Sequence, residues 1–265
     1  MTYLHRSGAK TRGLTRDPAR AVFPDGVEAV GGDLARPDSL RPALDGARAL
    51  VLLGGMGVEA DLLAAARQAG VEHVVLVSSI SVQTHPHLRE AAENRAGERL
   101  VEDSGLGWTI LRPTQFASNA LRWAEGVREH GSVRVPFADI GLPAVHPADI
   151  AAVAAAALTG PGHDGRTYAL TGPARITPRE QVAAIAEASG RPVALVEITR
   201  AEAHRRMAAF LGDQTAAAVL DLTGGDVNDE LARVRDTVSQ VTGAPARTFR
   251  QWAQENAAAF RPATS

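Results

Sequence analysis

The chain has no cysteine among its 265 residues. Disulfides and thiolate metal sites are therefore excluded, and a reducing compartment suits it. Lysine is almost absent: Lys10 is the only one, so arginine carries nearly all of the positive charge. Aromatic residues make up 4%, and Tyr3 and Tyr168 are the only tyrosines. No run of 18 apolar residues occurs, so no membrane span is expected. The first residues, Met1-Thr-Tyr-Leu-His-Arg, lack the apolar stretch of a signal peptide, and a cytoplasmic location is expected. The formal net charge is −2 and no basic block stands out, which argues against a nucleic-acid partner held through phosphates.

What is present is enough for a core: 45% of the residues are hydrophobic. Residues 10–15, 27–31 and 49–53 read as strands, the last buried on both faces because it is apolar throughout. Helices fit about Asp38 to Asp45 and 58–69, with Gly70 as a stop. The stretch His73 to Asn119 organises the rest. An apolar run ends in Ser78 and Ser79, a polar helix covers about Arg89 to Ser104, and a second apolar run leads into Pro113-Thr114-Gln115-Phe116. That is a βαβ unit. Alternation up to residue 119 predicts an α/β fold with a doubly wound parallel sheet.

Residues 120–265 predict a smaller, mostly helical lobe interleaved with late strands, in one compact body with residues 1–119. Helices are expected over about 120–129, from Pro147 to about Leu158, from Thr177 to about Ser189, from Thr199 to about Leu211, over 214–222 and over 248–260. Thr177-Pro-Arg-Glu180 and Thr199-Arg-Ala-Glu202 have the form of capping boxes. Strands are expected at 132–135, 166–170 and 193–198.

In open parallel sheets, ligands sit beyond the carboxyl ends of the strands. Ser78, Ser79 and the 113–119 loop then share one rim, although two hydroxyls also serve simply to cap a strand. His146 precedes Pro147 and fits a helix N-cap better than a catalytic role. His85 and His87 have no third ligand near them in sequence, so no metal site is expected. No nucleophile elbow supports hydrolysis.

Several pieces, in order, resemble the NmrA-like branch of the atypical short-chain dehydrogenase/reductases. They are Leu14–Pro18, Gly32-Asp33-Leu34, Val74–Ser79, Trp108–Pro113, Val145–Ile150, Tyr168–Gly172 and Thr242–Phe249. The resemblance implies a Rossmann fold that binds NADP(H) or NAD(H). It implies reduction of a quinone, azo compound or enone-like electrophile, or a redox-inert sensor or regulatory role. A reductase fold reused for a non-redox step such as cyclisation is a third reading. A homodimer is left open.

The resemblance places Thr15, Arg16, Asp33, Leu34, Gly54, Gly55, Met56 and Ser78 along the cofactor. Arg16 would grip the 2′-phosphate, so NADP is expected over NAD. Thr114, Gln115, Phe116 and Asn119 would face nicotinamide and substrate, although Phe116 also fits a plain core role. Ser78 and Ser79 stand where such reductases carry a serine, with Ser79 the weak catalytic candidate, but neither tyrosine has a lysine four residues later. Arg95, in the helix where that pair would sit, cannot act as a base.

One departure from the resemblance is large. An apolar first strand and a GxxGxxG turn are not found, and Leu4–Lys10 reads as the tail of the helix that would follow them. The Gly54-Gly55-Met56-Gly57 cluster has the wrong spacing to replace that turn. A downstream-set start, a genuine short form and a non-nucleotide function all fit this departure. Cofactor binding would be lost in a truly truncated form. Unpaired edges are expected on the strands at 10–15 and 49–53, with an uncovered apolar face.

Overall fold

The computed structural model describes Tyr3, Leu4 and residues 8–262. Of the expected helix tail, Leu4 is helical and its carbonyl accepts from Ala9 N–H, while His5–Ser7 lie outside the described residues. Strands β3 (Ala49–Leu53), β4 (His73–Val77), β5 (Gly107–Pro113) and β7 (Arg166–Leu170) form a parallel sheet in that order. Strands β1 (Thr11–Thr15) and β2 (Val27–Gly31) form a separate parallel pair. A third parallel pair joins β6 (Ser132–Val135) to β8 (Ala194–Glu197). The fold is the expected α/β, Rossmann-like, doubly wound type.

Period-two alternation assigns each strand's side chains to opposite faces. Val74, Leu76 and Ile110 turn one way, into a core with Leu62, Leu63 and Ala66 of helix Glu59–Gln68 and Val101 of helix Arg89–Glu102. Val75 and Leu111 turn the other way, onto Ile150, Val153 and Ala157 of helix Pro147–Thr159. A second core belongs to the later lobe. There Val133, Val135 and Ile185 pack with Phe249, Trp252 and Phe260.

The expectation that 49–53 is buried on both faces is corrected. Leu52 is buried, but Val51 is 44% and Leu53 58% exposed. The reason is local: among the described residues β3 pairs only with β4, β1 pairs only with β2, and nothing covers that apolar face.

The helix expected at 120–129 is also refined, into a 3₁₀ turn Ala117–Trp123 followed by Ala124–His130. Thr177 and Glu180 form a full capping box. Thr199 forms only half of one: it accepts from Glu202 N–H, while the Glu202 carboxylate pairs with Arg134 and Arg206. The expected 248–260 helix breaks at Asn256 into Phe249–Glu255 and a 3₁₀ turn Ala257–Phe260, and it starts in a Thr248/Gln251 capping box. No helix among the described residues is long and apolar enough to cross a membrane.

Candidate active site

The chain leaves β4 through Ser78 and Ser79 into a short helical turn, Ser81–Thr84. It leaves β5 through Thr114, Gln115 and Phe116 into the 3₁₀ turn. Because β4 and β5 are parallel neighbours, both exits open on the same side. Between them lies a cavity of about 230 Å³, lined by Ser78, Ser79, Thr114, Gln115, Phe116 and Asn119. Ile80, Pro113, Leu222 and Leu231 complete the wall. Six expected residues are thus brought together. Phe116 is 37% exposed and faces the cavity, so the core role is corrected.

Leu222 and Leu231 were not expected. Leu222 comes from the end of the stretch expected as a helix over 214–222 and Leu231 from the less regular residues after it, both held over the cavity by tertiary contacts. Gln115 Nε2 donates to Leu222 O. His85, fully buried, sits 2.8 Å from Asp226 O and 2.9 Å from Thr84 Oγ1. Asn228 Nδ2 donates to Thr84 O at 2.8 Å. His85 thus serves as a latch on this segment.

The two serines differ. Ser78 is buried and donates to Glu98 Oε1 at 2.7 Å. Ser79 Oγ accepts from Ser81 N–H at 3.2 Å and Ser81 Oγ at 2.9 Å. A hydroxyl has two acceptor positions and one donor. The Ser79 hydroxyl lines the cavity, and when Ser81 Oγ donates to it the Ser79 proton is free to engage a group there. Thr114 Oγ1 donates to Pro143 O at 2.6 Å and so braces the loop. The Asn119 side-chain amide makes no hydrogen bond within the described protein and is available to a ligand. Gly172 lets the chain pass close beside that loop, since a Cβ there would lie 2.2 Å from Ala144 O.

Beneath the cavity is a buried ion pair. Glu98 accepts from Arg112 Nε at 2.8 Å and Arg112 Nη2 at 2.6 Å, and from Arg95 at 3.0 Å. Burial alone would raise the Glu98 pKa, but the hydrogen bonds from Arg112 and Ser78 outweigh it and hold the carboxyl below its ordinary value. Arg112 also donates to Gln83 Oε1 at 3.3 Å, and Gln83 Nε2 donates to Glu230 at 2.9 Å. The floor of the cavity is thereby tied to the segment that roofs it.

The residues expected along the cofactor stand at the carboxyl ends of their strands. Thr15 ends β1 and Arg16 follows it, Asp33 and Leu34 follow β2, and Gly32 N–H donates to Thr15 O at 2.9 Å. Arg16 is exposed and makes no ion pair among the described residues. The Asp33 side chain closes a turn, accepting from Ala35 N–H at 3.0 Å and lying 3.4 Å from Arg36. Gly54 N–H donates to Val77 O, and Gly55 takes a φ of 74°. Met56 is 46% exposed and its N–H is occupied by Glu59. Of the residues expected along the cofactor, Ser78 alone lines the Ser79 cavity.

His146 takes the structural role expected of it. Its Nδ1 accepts from Ala148 N–H at 3.0 Å, capping helix Pro147–Thr159. Burial lowers its pKa, although Glu255 lies 3.2 Å from Nε2 and opposes the shift.

Comparison with known proteins gives this geometry its context. A family model described as NAD(P)H-binding matches residues 1–161. A (4-alkanoyl-5-oxo-2,5-dihydrofuran-3-yl)methyl phosphate reductase from Streptomyces griseus is 40% identical over 94% of this chain and 90% of its own. An NAD(P)H azoreductase from Xenophilus azovorans is 35% identical, with the same coverage. The crystal structure of an NADPH-dependent quinone oxidoreductase from Escherichia coli, complexed with NADPH, superposes with a TM-score of 0.76 at 25% identity, covering 96% of this chain and 95% of that one. The chain belongs to the NAD(P)H-binding family, with a Rossmann-type fold of the kind found in NmrA.

Proposed function

We propose that the chain is an NADP(H)-preferring reductase acting on a small conjugated electrophile of the quinone, azo or enone type. The observation that carries this reading is the Ser79 hydroxyl, held by Ser81 N–H and beside Ser81 Oγ, on the wall of a cavity completed by Ile80, Phe116, Leu222 and Leu231. The relatives reduce a conjugated lactone, azo compounds and quinones by their names, which are electrophiles of this kind.

Residues present in the chain fit the two ends of the cofactor. Arg16 offers an unpaired guanidinium for a 2′-phosphate, and the Ser78–Pro113–Thr114 rim accommodates a flat ring. The glycine turn that cradles a pyrophosphate is not among the described residues, so no step is assigned to it. When bound, NADPH supplies a hydride.

The chain's own residues do the rest. Ser79 donates a hydrogen bond to the substrate oxygen or nitrogen on which negative charge gathers. Asn119 orients the substrate through its amide. Phe116, Leu222 and Leu231 exclude water, which strengthens that hydrogen bond. No side chain in the cavity is a strong acid, so the final proton comes from solvent. Residues 1–119 hold the cofactor in this scheme and residues 120–265 close over the substrate.

Saturation with NADPH at about 100 times Kd should stabilise the protein by about 2.7 kcal/mol, and a thermal-shift titration reads this directly. Arg16→Glu places a carboxylate against the 2′-phosphate. NADPH affinity should fall about tenfold or more, while NADH affinity changes little. Equal losses for the two nucleotides would show that Arg16 does not read the phosphate.

A further inference from the structure

The cavity beside Ser79 holds about 230 Å³. Small-molecule sites ordinarily offer roughly 300–1,000 Å³, and the proposed reaction brings two rings together here, the nicotinamide and the acceptor. The walls at the ends of β4 and β5 are fixed by the sheet. The roof is built differently. It is a strap, residues 221–230, strung between two buried anchors, Leu220 at 0% and Leu231 at 1% exposure. None of the strap's own residues is buried, and Val227 is 39% exposed. Gly224 kinks it with a φ of 154°, where a Cβ would lie 2.6 Å from Phe137.

Hydrogen bonds to the two strand exits hold the strap down. From the β5 exit, Gln115 Nε2 donates to Leu222 O. Three more contacts come from the turn after β4. A carbonyl only accepts, so His85 Nε2 carries a proton and donates to Asp226 O at 2.8 Å. Thr84 O accepts from Asn228 Nδ2 at 2.8 Å, and Gln83 Nε2 donates to Glu230 Oε1 at 2.9 Å. Such bonds exchange for bonds to water at small net cost. A segment with little buried apolar surface opens by itself while the core stays folded.

We propose that residues 221–230 are a gate, lifting between the anchors Leu220 and Leu231 to admit a small conjugated electrophile, with His85 and Asn228 as its latch. Opening enlarges the cavity by removing the Leu222 side of its wall. It also frees the Gln115 amide, which in the closed form is spent on Leu222 O, so Gln115 joins the cavity's donors only when the roof is raised. The inference rests on the reductase reading of the same cavity, which sets the size of what must enter.

Because the chain has no cysteine, a single introduced thiol reports on one place. Ile80 lines the cavity and is 4% exposed. The full chain with Ile80→Cys is treated with N-ethylmaleimide, itself a small conjugated electrophile, and alkylation is followed by mass. It should be slower than that of N-acetylcysteine by about 100-fold or more. Adding His85→Phe, which removes the donor and keeps a ring, should speed alkylation by about tenfold or more. Asn228→Asp should act in the same direction, since the carboxylate still accepts from Leu231 N–H but no longer donates to Thr84 O. Val101→Cys, buried in the sheet core, is the control and should be moved by neither latch variant. A rate near that of N-acetylcysteine, no acceleration in either latch variant, or an acceleration that Val101→Cys shares overturns the proposal. The labelling uses no cofactor, so a gate that opens in a protein unable to oxidise NADPH counts against the reductase reading alone.

Discussion

Replacing Glu98 with alanine is expected to cost about 3–5 kcal/mol of stability, because it strands a buried cation. The glutamate side chain is fully buried and the Arg112 side chain is 17% exposed, so Glu98→Ala leaves the guanidinium poorly solvated and without its partner. Ser78 and Arg95 lose an acceptor as well, although Arg95 keeps Glu102. For a chain of this size that corresponds to a fall in Tm of about 10 °C. Removing both charges with Glu98→Leu and Arg112→Met should recover much of the loss, because the cost lies in the orphaned charge.

The same pair sets a pH dependence. The folded-state pKa of Glu98 lies below its unfolded value, so its contribution is complete above the unfolded pKa and fades as pH falls through the folded one. Parent stability should therefore drop on acidification below about pH 4.5, and the Glu98→Leu, Arg112→Met protein should drop less. A Glu98→Ala protein within about 0.5 kcal/mol of the parent by urea denaturation would show the pair to be no more than a surface contact.

Ser79→Ala is expected to lower kcat/KM about 100-fold, the size seen when a single preorganised donor to a developing negative charge is removed. The loss should fall on kcat, with KM and NADPH affinity little changed, because the hydrogen bond strengthens as charge develops. Ser79 also accepts from Ser81 N–H, so about 1 kcal/mol of turn stability goes with it. That structural share shows in the melting temperature and leaves the ratio of kcat to KM alone. Ser79→Thr keeps the hydroxyl and should retain part of the rate. A decrease of less than about threefold would remove Ser79 from the chemistry.

How far the site could be read from sequence depended on whether its determinants were local. Ser78, Ser79 and the 114–119 residues lie at strand exits, and strand exits follow from apolar runs that end in polar residues. Their meeting in one cavity follows from β4 and β5 being parallel neighbours. His146 was legible for the same reason, since an N-cap followed by Pro147 is a pattern within a few residues.

Leu222 and Leu231 were not legible. They sit in a kinked segment whose place is set by Gln115, His85 and Thr84, more than 100 residues away in sequence. Glu98 was hidden differently. Its helix is polar enough to read as solvated, and only the pairing of β5 beside that helix shows that Arg112 draws it inward. For Ala49–Leu53, composition predicted two buried faces, whereas burial depends on what lies alongside.

In the proposed reaction, hydride passes from NADPH to a conjugated acceptor held in this cavity. The most direct test mixes the full chain anaerobically with NADPH deuterated at the transferred position and a panel of one quinone, one azo dye and one butenolide phosphate. At least one acceptor should be reduced, with one NADPH oxidised for each two-electron reduction and, for the butenolide, one deuterium retained on carbon, and Ser79→Ala should slow the reaction. A folded protein that binds NADPH yet reduces none of these acceptors, or that consumes NADPH at the same rate without Ser79, would contradict this reading.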